Sequence, residues 1–480
     1  MRRTRSNVGR FAASAPLNRR RREPSSSSPR RALDAALADA MLRAALSSAR
    51  ACASSRRARV RARARRARAR VLTVAASPEA PPPVPDVRAF DAAPLDVDAL
   101  DAFPRLSSGK YALKGMRRAE LADWLAHVGE KRSRADSVFR AMYRELGGDA
   151  DASEAFGDKF KARLEVLGSF DGDLELSDTR LATDGTRKVT YNLRGSGGGT
   201  VESVLIPALT ERGRTTVCVS SQLGCAMNCQ FCYTAKMGLR KNLSAAQIVE
   251  QVVQARRMVG ASEVSNVVFM GMGEPLHNVD EVLKAVSILL DPKGLGFSRN
   301  KVTVSTSGLV PQMERFLRES EASLAVSLNA TTDYIRNWIM PINRKYNLEM
   351  LLGLLRREFP RQSLGRHQRQ VFFEYIMLEG VNDSDEDADR LVEIARDIPC
   401  KINLIYFNTH DGSEFKCSDQ ERINAFRQRV SDAGVTCTIR QSRGDEEMSA
   451  CGQLGKPDDE ANWKPPPPRM RDPRTRAQRL

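Results

Sequence analysis

The strongest constraint on the fold is a unit that occurs six times between residues 215 and 433. Each unit has a β-rich apolar run, a loop of small or polar residues and an amphipathic helix. The runs are TTVCVSS, SNVVFMGMG, KVTVSTSG, ASLAVSLNA, VFFEYIML and KINLIYFN, and the helices are predicted near 244–259, 279–290, 311–319, 346–358, 384–397 and 419–433. Alternating strands and helices predict a parallel sheet. We therefore expect an α/β fold with an incomplete (βα)6 barrel of the TIM type, and a doubly wound open sheet is the alternative.

Two segments precede the repeats. Residues 109–172 carry apolar residues at the three-to-four spacing of helices, as in RAELADWLAHVG and SRADSVFRAMYREL. With its basic edges, this segment is predicted to be a small helical RNA-binding domain, although most such charges only solvate a surface. Residues 173–207 predict an extension of antiparallel strands, in LELSDTRL, KVTYNLR and VESVLIP. The barrel is expected over 208–455, where a further β-rich run, VTCTIRQ, precedes the loop SRGDEEMSACGQLG.

The basic charge of the chain is concentrated at its amino-terminal end. The net charge is +17, yet residues 1–70 alone carry 21 Arg, no Lys and three acidic residues, a net charge of +18. A start rich in Arg, Ala and Ser and poor in acidic residues is typical of an organelle transit peptide. We expect such a peptide over 1–76, addressed to the chloroplast, with the mitochondrion as the alternative. A nucleic-acid-binding arm and a true start at Met41 are the other interpretations.

The composition also limits the remaining segments. Residues 77–108 are rich in Pro and are predicted to form a linker, and residues 456–480 are predicted to be a disordered basic tail. No run of about 18 apolar residues is present, so no membrane-spanning segment is expected. Nine cysteines in 480 residues do not make a secreted disulfide framework and fit a reducing compartment. A monomer is expected.

Three cysteines follow the first β-rich run with the spacing C-x3-C-x2-C: Cys225, Cys229 and Cys232. Three thiolates can hold three corners of a [4Fe–4S] cluster, which normally has four cysteine ligands, and the fourth iron is then open to a cofactor. A zinc knuckle is the alternative, but such sites usually pair two C-x2-C units or add two histidines. The chain has one such unit and only four histidines. Three unrelated buried cysteines are the remaining alternative.

Polar and glycine-rich loops follow the other β-rich runs, at the end of the barrel where active sites of such folds lie. The loop GMGEP (271–275) lets the backbone approach a ligand closely, and Glu274 can bind an ammonium group. The loops STSG (305–308), SLNA (327–330) and FNTH (407–410) supply Ser and Asn side chains that can hydrogen-bond the ribose and carboxylate of the same cofactor. Each of these residues, taken singly, is more often a helix cap.

Six segments together resemble one enzyme family. They are CVSSQLGCAMNCQFC, VVFMGMGEPLHN, STSGLVPQ, SLNATTDYIRNWIMPINRKYNLE, NLIYFN and SRGDEEMSACGQL. They are similar to the bacterial-type dual-specificity methyltransferases of the radical S-adenosylmethionine superfamily, which act on carbon 2 of adenine in large-subunit rRNA and in tRNA. The resemblance extends from about residue 111 to residue 455.

The resemblance implies two cofactors and their ligands. It implies a [4Fe–4S] cluster bound by Cys225, Cys229 and Cys232, and S-adenosylmethionine bound by Gly273, Glu274, Ser305, Ser327, Leu328, Asn329 and Asn408. It also implies that Cys451 carries the methyl group, that Cys218 is the second thiol and that Glu202 is the acid/base residue. Some relatives have His at the position of Asn329.

The implied reaction consumes two molecules of S-adenosylmethionine per turnover. Carbon 2 of adenine lies between two ring nitrogens and is electrophilic, so a polar methyl transfer fails there. The resemblance implies that one cofactor molecule methylates the thiolate of Cys451 and that a second yields the radical that activates this methyl group for addition to the base. It further implies that Cys218 releases the product by forming a disulfide with Cys451, and that Glu202 transfers a proton.

The implied partners are RNA and an electron donor. Large-subunit rRNA and tRNA are the expected substrates, with the target adenine unstacked or flipped, and a reductant such as ferredoxin or flavodoxin is expected. The sister activity that methylates carbon 8 of adenine is one alternative function. A cluster-bearing RNA-binding factor without catalysis is another, which the presence of Glu274 and Cys451 disfavours.

Overall fold

The computed structural model describes residues 100–146, 156–195, 198–208, 213–361, 369–410, 412–455, 470 and 472–474. They belong to one compact unit, Pro83–Leu480. The predicted transit peptide lies outside the described residues, as do the first part of the predicted linker and most of the predicted tail. Within the linker, Leu100 and Leu106 are buried. Within the tail, the carbonyl of Met470 accepts a hydrogen bond from the indole of Trp338 at 3.1 Å.

The described part of the chain contains fourteen β-strands and eleven α-helices. The strands are β1 Tyr111–Ala112, β2 Gly168–Ser169, β3 Leu174–Leu181, β4 Arg187–Leu193, β5 Thr200–Pro207, β6 Thr215–Cys218, β7 Gln222–Gly224, β8 Leu239–Asn242, β9 Val264–Phe269, β10 Val302–Thr306, β11 Ser323–Ser327, β12 Val371–Met377, β13 Cys400–Tyr406 and β14 Cys437–Arg440. The helices are α1 Arg118–His127, α2 Ala135–Tyr143, α3 Asp158–Leu167, α4 Tyr233–Lys236, α5 Ala245–Val259, α6 Val279–Leu290, α7 Val310–Glu319, α8 Asp333–Ile339, α9 Leu348–Glu358, α10 Asp385–Arg396 and α11 Gln420–Asp432. None of these helices is long and apolar enough to cross a membrane.

Ten of these strands form one sheet in the order β14-β13-β12-β11-β10-β9-β6-β5-β4-β3. The seven strands β6, β9, β10, β11, β12, β13 and β14 pair in parallel, and each lies beside the next of these seven along the chain. A doubly wound sheet reverses its strand order part-way, and this sheet does not. The predicted α/β fold with an incomplete TIM-type barrel is therefore confirmed, and the run VTCTIRQ supplies its seventh parallel strand, β14.

The antiparallel extension continues the same sheet. Strands β3, β4 and β5 pair antiparallel with one another, and β5 pairs antiparallel with β6. Every residue of β3 after Leu174 is exposed, which is expected of an edge strand. On β5, Val204 lies opposite Cys218 of β6, and Glu202 is two residues away on the same strand. The extension therefore brings Glu202 close to the barrel.

The segment before the sheet is helical, as the sequence predicted, and it packs on the barrel. Trp124 of α1 and Tyr143 of α2 are fully buried in the same apolar core as the barrel strands. Lys114 is fully buried and forms an ion pair with Glu250 of α5. The hydroxyl of Tyr143 donates to the carbonyl of Lys114 at 2.8 Å. These contacts fix the helical segment against α5.

Polar side chains begin the helices that follow the barrel loops. The side chains of five such residues accept a backbone hydrogen bond at the starts of α5, α8, α9, α10 and α11: Ser244, Thr332, Asn347, Ser384 and Asp419. These side chains accept hydrogen bonds from backbone N–H groups of the first helical turn, which have no partner within the helix. The carboxyl ends of the parallel strands thus lead into short loops of defined conformation, and the candidate site lies there.

Candidate active site

The loop with the three predicted cluster ligands begins at a two-stranded hairpin, β7 and β8. Gly224, at the end of β7, has a φ of +74°, and a Cβ added there lies 1.8 Å from the carbonyl oxygen of Gly238. Only glycine tolerates both this conformation and this approach. The N–H of Cys225 donates to the same carbonyl at 3.0 Å. The hairpin therefore fixes the point where the cluster loop begins.

The three thiols form a group suited to iron. Cys225, Cys229 and Cys232 are free cysteines that are buried or half-buried. Burial raises the pKa of each thiol, and negative charge on neighbouring thiols raises the pKa of Cys225 and Cys229 further. Hydrogen bonds from the backbone at the start of α4 favour the thiolate of Cys232. Buried thiols that must all ionise need a positive partner, and iron supplies one.

The surroundings of the three thiols are compatible with a cluster. Among the described residues, no group of three His, Cys, Asp or Glu side chains is arranged to hold one ion. The thiolates of a [4Fe–4S] cluster bind different iron atoms, so they need not converge on one point. Met227, Leu309 and Ile342 pack around Cys225 and Cys229. This apolar shell limits the access of water to the cluster position.

Glu274 lies in the loop after β9 with both carboxylate oxygens bound. Its Oε1 accepts the N–H of Leu276 at 3.0 Å, and its Oε2 accepts the N–H of Ser307 at 2.7 Å. Burial raises the pKa of Glu274, and the backbone donors oppose this shift. Gly273 has a φ of +101°, and a Cβ there lies 2.5 Å from the Cβ of Gln222. The loop therefore needs glycine at this position to hold the carboxylate rigidly.

The other predicted cofactor-binding residues follow neighbouring strands. Ser305 and Ser327 lie at the ends of β10 and β11, and Leu328 is fully buried. Asn329 has a left-handed backbone with a φ of +55°. Its Oδ1 accepts the N–H of Ile376 at 2.9 Å. The Asn329 side chain thus joins the loop after β11 to β12, a structural role that the sequence did not predict.

Asn408, in the loop after β13, holds the segment that carries Cys451. Its Nδ2 donates to the carbonyl of Cys451 at 3.1 Å, and its Oδ1 accepts a hydrogen bond from the hydroxyl of Ser442. The same segment is attached to the cluster loop, because the N–H of Tyr233 donates to the carbonyl of Gly452 at 2.7 Å. The backbone at Cys451 therefore lies next to the cluster loop.

Cys218 and Cys451 line one cavity of about 610 Å³ inside the barrel. Cys218 is buried and Cys451 is exposed, and both residues line the cavity. Burial raises the pKa of Cys218 to about 12, and it also raises the pKa of Cys451. The guanidinium of Arg440 opposes both shifts. The structure thus brings the two predicted reactive thiols to one cavity, beside a positive charge.

Sequence reasoning missed two charged residues of this cavity, Glu374 and Arg440. Glu374 is buried, and its Oε1 accepts a hydrogen bond from Asn403 at 2.8 Å. Its Oε2 has no hydrogen-bond partner among the described residues. Burial raises the pKa of Glu374, and Arg440 opposes this shift. The sequence did offer one indication of these residues, because each is a charged residue inside a β-rich run: Glu374 in VFFEYIML and Arg440 in VTCTIRQ.

Glu202 contacts the loop of Cys451 and is not part of the cavity lining. Its Oε2 accepts the N–H of Gly455 at 2.8 Å, and its Oε1 lies 3.6 Å from the Nζ of Lys188. Lys188 in turn donates to the carbonyl of Met448 at 3.2 Å. Both contacts attach Glu202 to the segment that carries Cys451.

Comparison with known proteins identifies the family. Residues 219–392 match the model of the radical SAM superfamily. The chain is 42% identical over 344 residues to the dual-specificity RNA methyltransferase RlmN of Syntrophobacter fumaroxidans, and the match covers 71% of this chain and 97% of that protein. It is 45% identical over 346 residues to the protein of the same name from Pelobacter propionicus, and this match covers 72% of this chain and 96% of that protein. The chain belongs to the dual-specificity RNA methyltransferase family.

A solved structure agrees with this assignment. A radical SAM methyltransferase from Sphaerobacter thermophilus is similar with a TM-score of 0.65 and 39% identity, covering 71% of this chain and 98% of that one. Membership of the radical SAM superfamily implies a [4Fe–4S] cluster and S-adenosylmethionine as cofactors. In this methyltransferase, Cys225, Cys229 and Cys232 are the residues that fit the cluster.

Proposed function

We propose that this methyltransferase adds a methyl group to carbon 2 of adenine in large-subunit rRNA and in tRNA, with Cys451 as the carrier of the methyl carbon. The observation that supports this is the shared cavity of Cys451 and Cys218, next to the cluster loop. Two thiols in one cavity suit a reaction in which one holds the transferred carbon and the other displaces the product.

The residues of the chain have separate tasks in this reaction. When bound, the cluster and S-adenosylmethionine supply the methyl group and the radical chemistry that an electrophilic carbon requires. Cys451 holds the methyl carbon against the base, so the RNA becomes linked to the protein through that carbon. The adduct must then lose one electron, which the bound cluster would accept, and the ring proton of carbon 2, for which Glu202, bound to the Cys451 segment but outside the cavity lining, is the proposed acceptor. The thiolate of Cys218 then attacks the sulfur of Cys451, so that the S–S bond forms while the bond between that sulfur and the methylene carbon breaks. The electron pair of the broken bond stays with the carbon, which takes up a proton and becomes the methyl group of the released RNA.

The choice of RNA rests on the relatives. Those with 42–45% identity are named dual-specificity RNA methyltransferases, which supports two classes of RNA substrate for this chain. A reductant such as ferredoxin or flavodoxin must reduce the cluster and, after each turnover, the disulfide.

The test is reconstitution of the enzyme without oxygen, with S-adenosylmethionine, a reductant and unmodified large-subunit rRNA or tRNA. Nucleosides from the digested RNA should contain 2-methyladenosine, which chromatography and mass spectrometry separate from the 8-methyl isomer. The variant C451A should give no product while it retains its iron. The matched variant C417A, which changes a cysteine outside the cavity lining, should remain active. Formation of 8-methyladenosine, or full activity of C451A, would contradict the proposal.

The site of action is proposed to be the chloroplast. The Arg-, Ala- and Ser-rich composition of residues 1–76 supports this. A fusion of residues 1–76 to a fluorescent protein should reach the chloroplast in plant cells, and a fusion of residues 77–150 should not. Delivery of the first fusion to the mitochondrion would favour the alternative organelle, and retention in the cytosol would contradict a transit peptide.

A further inference from the structure

One buried charge near the cofactor loops has no part in the function described above. Arg336 of α8 is fully buried. Its guanidinium donates to the carbonyl of Ser307 at 2.8 Å, to that of Ser327 at 3.0 Å and to that of Leu328 at 2.9 Å. A fourth hydrogen bond, of 2.8 Å, goes to the Oδ1 of Asn343. These four acceptors are neutral, so none of these hydrogen bonds pairs the buried positive charge with a carboxylate.

These hydrogen bonds join two loops that are predicted to bind S-adenosylmethionine. Ser307 lies in the loop after β10, and Ser327 and Leu328 lie at the end of β11. The N–H of Ser307 is also the donor to the Oε2 of Glu274. A series of hydrogen bonds therefore connects Glu274 to Ser307, Ser307 to Arg336, and Arg336 to the carbonyls at the end of β11. Arg336 thus links the loops after β9, β10 and β11.

Helix α8 also contacts the cluster loop. The N–H of Gln230, next to Cys229, donates to the carbonyl of Ile339 at 3.0 Å. Cys229 packs against an apolar cluster that includes Trp338 and Ile339 at the end of the same helix. The buried charge of Arg336 therefore lies on a helix that contacts the cluster loop beside Cys229. Burial lowers the pKa of Arg336 to about 10, so the side chain is positively charged at neutral pH.

We propose that Arg336 is a positioning residue with two effects: it holds the loops after β10 and β11 in the arrangement that binds S-adenosylmethionine, and its buried charge, on the helix that contacts the cluster loop, raises the reduction potential of the cluster. The proposal rests on the proposed function only for the identity of the two cofactors, and it requires no RNA.

Both effects follow from the chemistry of arginine. A guanidinium presents five N–H donors in a fixed plane, so it can bind several carbonyls at once, whereas an ammonium on a flexible chain cannot do so with the same geometry. Reduction adds one negative charge to the cluster. A nearby positive charge, poorly screened because it is buried, favours that added electron, and net charge around a cluster is one of the factors that set its potential.

The experiment compares R336K, R336Q and R336M with the wild type and with R256Q. Arg256 is a matched control, because it is a partly buried arginine of α5 that donates to the carbonyl of Leu295 at 2.9 Å. It lies near the carboxyl end of α5, which is the end remote from the cofactor loops. Each protein is reconstituted with iron and sulfide. Redox titration followed by electron paramagnetic resonance gives the potential, and equilibrium dialysis gives the affinity for S-adenosylmethionine.

The two effects should separate between the variants. R336K keeps the charge and loses the planar donor geometry, so its potential should stay near that of the wild type while its affinity for S-adenosylmethionine falls by about tenfold. R336Q and R336M lose the charge as well, so the affinity should fall and the potential should become more negative. R256Q should change neither quantity.

Each contrary result has a definite meaning. A wild-type potential in R336Q or R336M overturns the electrostatic effect, and an unchanged affinity in R336K overturns the positioning effect. If both neutral variants fail to fold while R256Q folds, Arg336 serves folding alone and the proposal is wrong. Loss of RNA methylation has no bearing on these readouts, so failure of the proposed substrate is distinguishable from failure of this inference.

Discussion

A thiol must lose its proton before it can accept a methyl group, and the cavity makes this harder for Cys451. Burial is the largest cause that raises the pKa of Cys451, and negative charge on Cys232 and Glu374 adds to it. Arg440 acts in the opposite direction, on Cys451 and on Cys218 alike. At the scale of single residues, the reactivity of both thiols therefore depends on one guanidinium in the wall of the cavity.

The variant R440Q should raise the pKa of Cys451, because it removes the positive charge that favours the thiolate. Near pH 8, alkylation of Cys451 by iodoacetamide should slow by about tenfold for each unit by which the pKa rises. Mass spectrometry of the labelled peptide over a series of pH values measures this. R443Q is the control, since Arg443 lines the same cavity but is paired with Asp184. Superimposable profiles for R440Q and the wild type would contradict the role of Arg440.

The sequence predicted some residues of the site because their chemistry is local. The spacing of the three cluster cysteines and the glycines before Glu274 can be recognised within one segment. The roles of Arg336, Glu374 and Arg440 could not be assigned in this way, even though the last two are visible as charged residues inside β-rich runs, because each acquires its importance from groups far away in sequence. The guanidinium of Arg336, for example, meets the carbonyl of Ser307 only after two strands and their loops have packed together.

At the scale of elements, the hairpin of β7 and β8 determines where the cluster loop starts. The variant G224A should disturb it, because the added methyl group meets the carbonyl oxygen of Gly238 and the backbone has a positive φ. The left-handed conformation alone costs a non-glycine residue about 1–2 kcal/mol, and the contact adds to this. We expect reduced iron content after reconstitution and a lower melting temperature.

The control for this prediction is G353A. Gly353 lies within α9, and a Cβ there meets no atom within 4 Å. Alanine should stabilise this helix by about 1 kcal/mol and leave the iron content unchanged. A G224A protein with full iron content would show that the cluster loop does not depend on the close approach of the hairpin.

The accuracy of the predicted elements followed their length. All six helices of the repeats lie within two residues of their predicted bounds, because each contains two or more turns of periodic apolar residues. Helix α8 and the hairpin of β7 and β8 were missed. Helix α8 has seven residues, β7 has three and β8 has four. These lengths are too short for the apolar residues to show the period of 3.6 of a helix or the period of 2 of a strand. These short elements nevertheless carry Arg336 and begin the cluster loop.

At the scale of the whole molecule, the ion pair of Lys114 and Glu250 connects the helical segment to the barrel. Both side chains are buried. The variant K114M should destabilise the protein by about 3 kcal/mol, because the buried carboxylate of Glu250 then keeps only the partly exposed Arg257, 3.5 Å away, as an ionic partner. Urea unfolding measures this. The double variant K114M/E250M should recover part of the loss, since an apolar pair of similar size is tolerated. Equal stability of K114M and the wild type would show that the pair does not hold the segment in place.

The charge balance of the whole chain determines how it can bind RNA. Outside residues 1–70, the chain carries 55 basic and 56 acidic residues, so no general positive field attracts RNA once a transit peptide is removed. Binding must then depend on local basic groups. Lys236, Arg240 and Lys241 lie on α4 and β8, directly after the cluster loop. Their position suits them to hold the phosphates on either side of a target base.

The variant K236Q/R240Q/K241Q should weaken RNA binding and reduce its dependence on salt. Each phosphate contact contributes about 0.7 to the slope of log K against log salt for single-stranded RNA, so three lost contacts should reduce the slope by about 2. Fluorescence anisotropy at several salt concentrations, on protein without residues 1–76, measures this. The control R315Q/R318Q/R357Q removes the same charge from α7 and α9 on the outside of the barrel. If both variants change the slope equally, total charge and not the group beside the cluster loop governs binding; if neither changes it, RNA is held by other contacts.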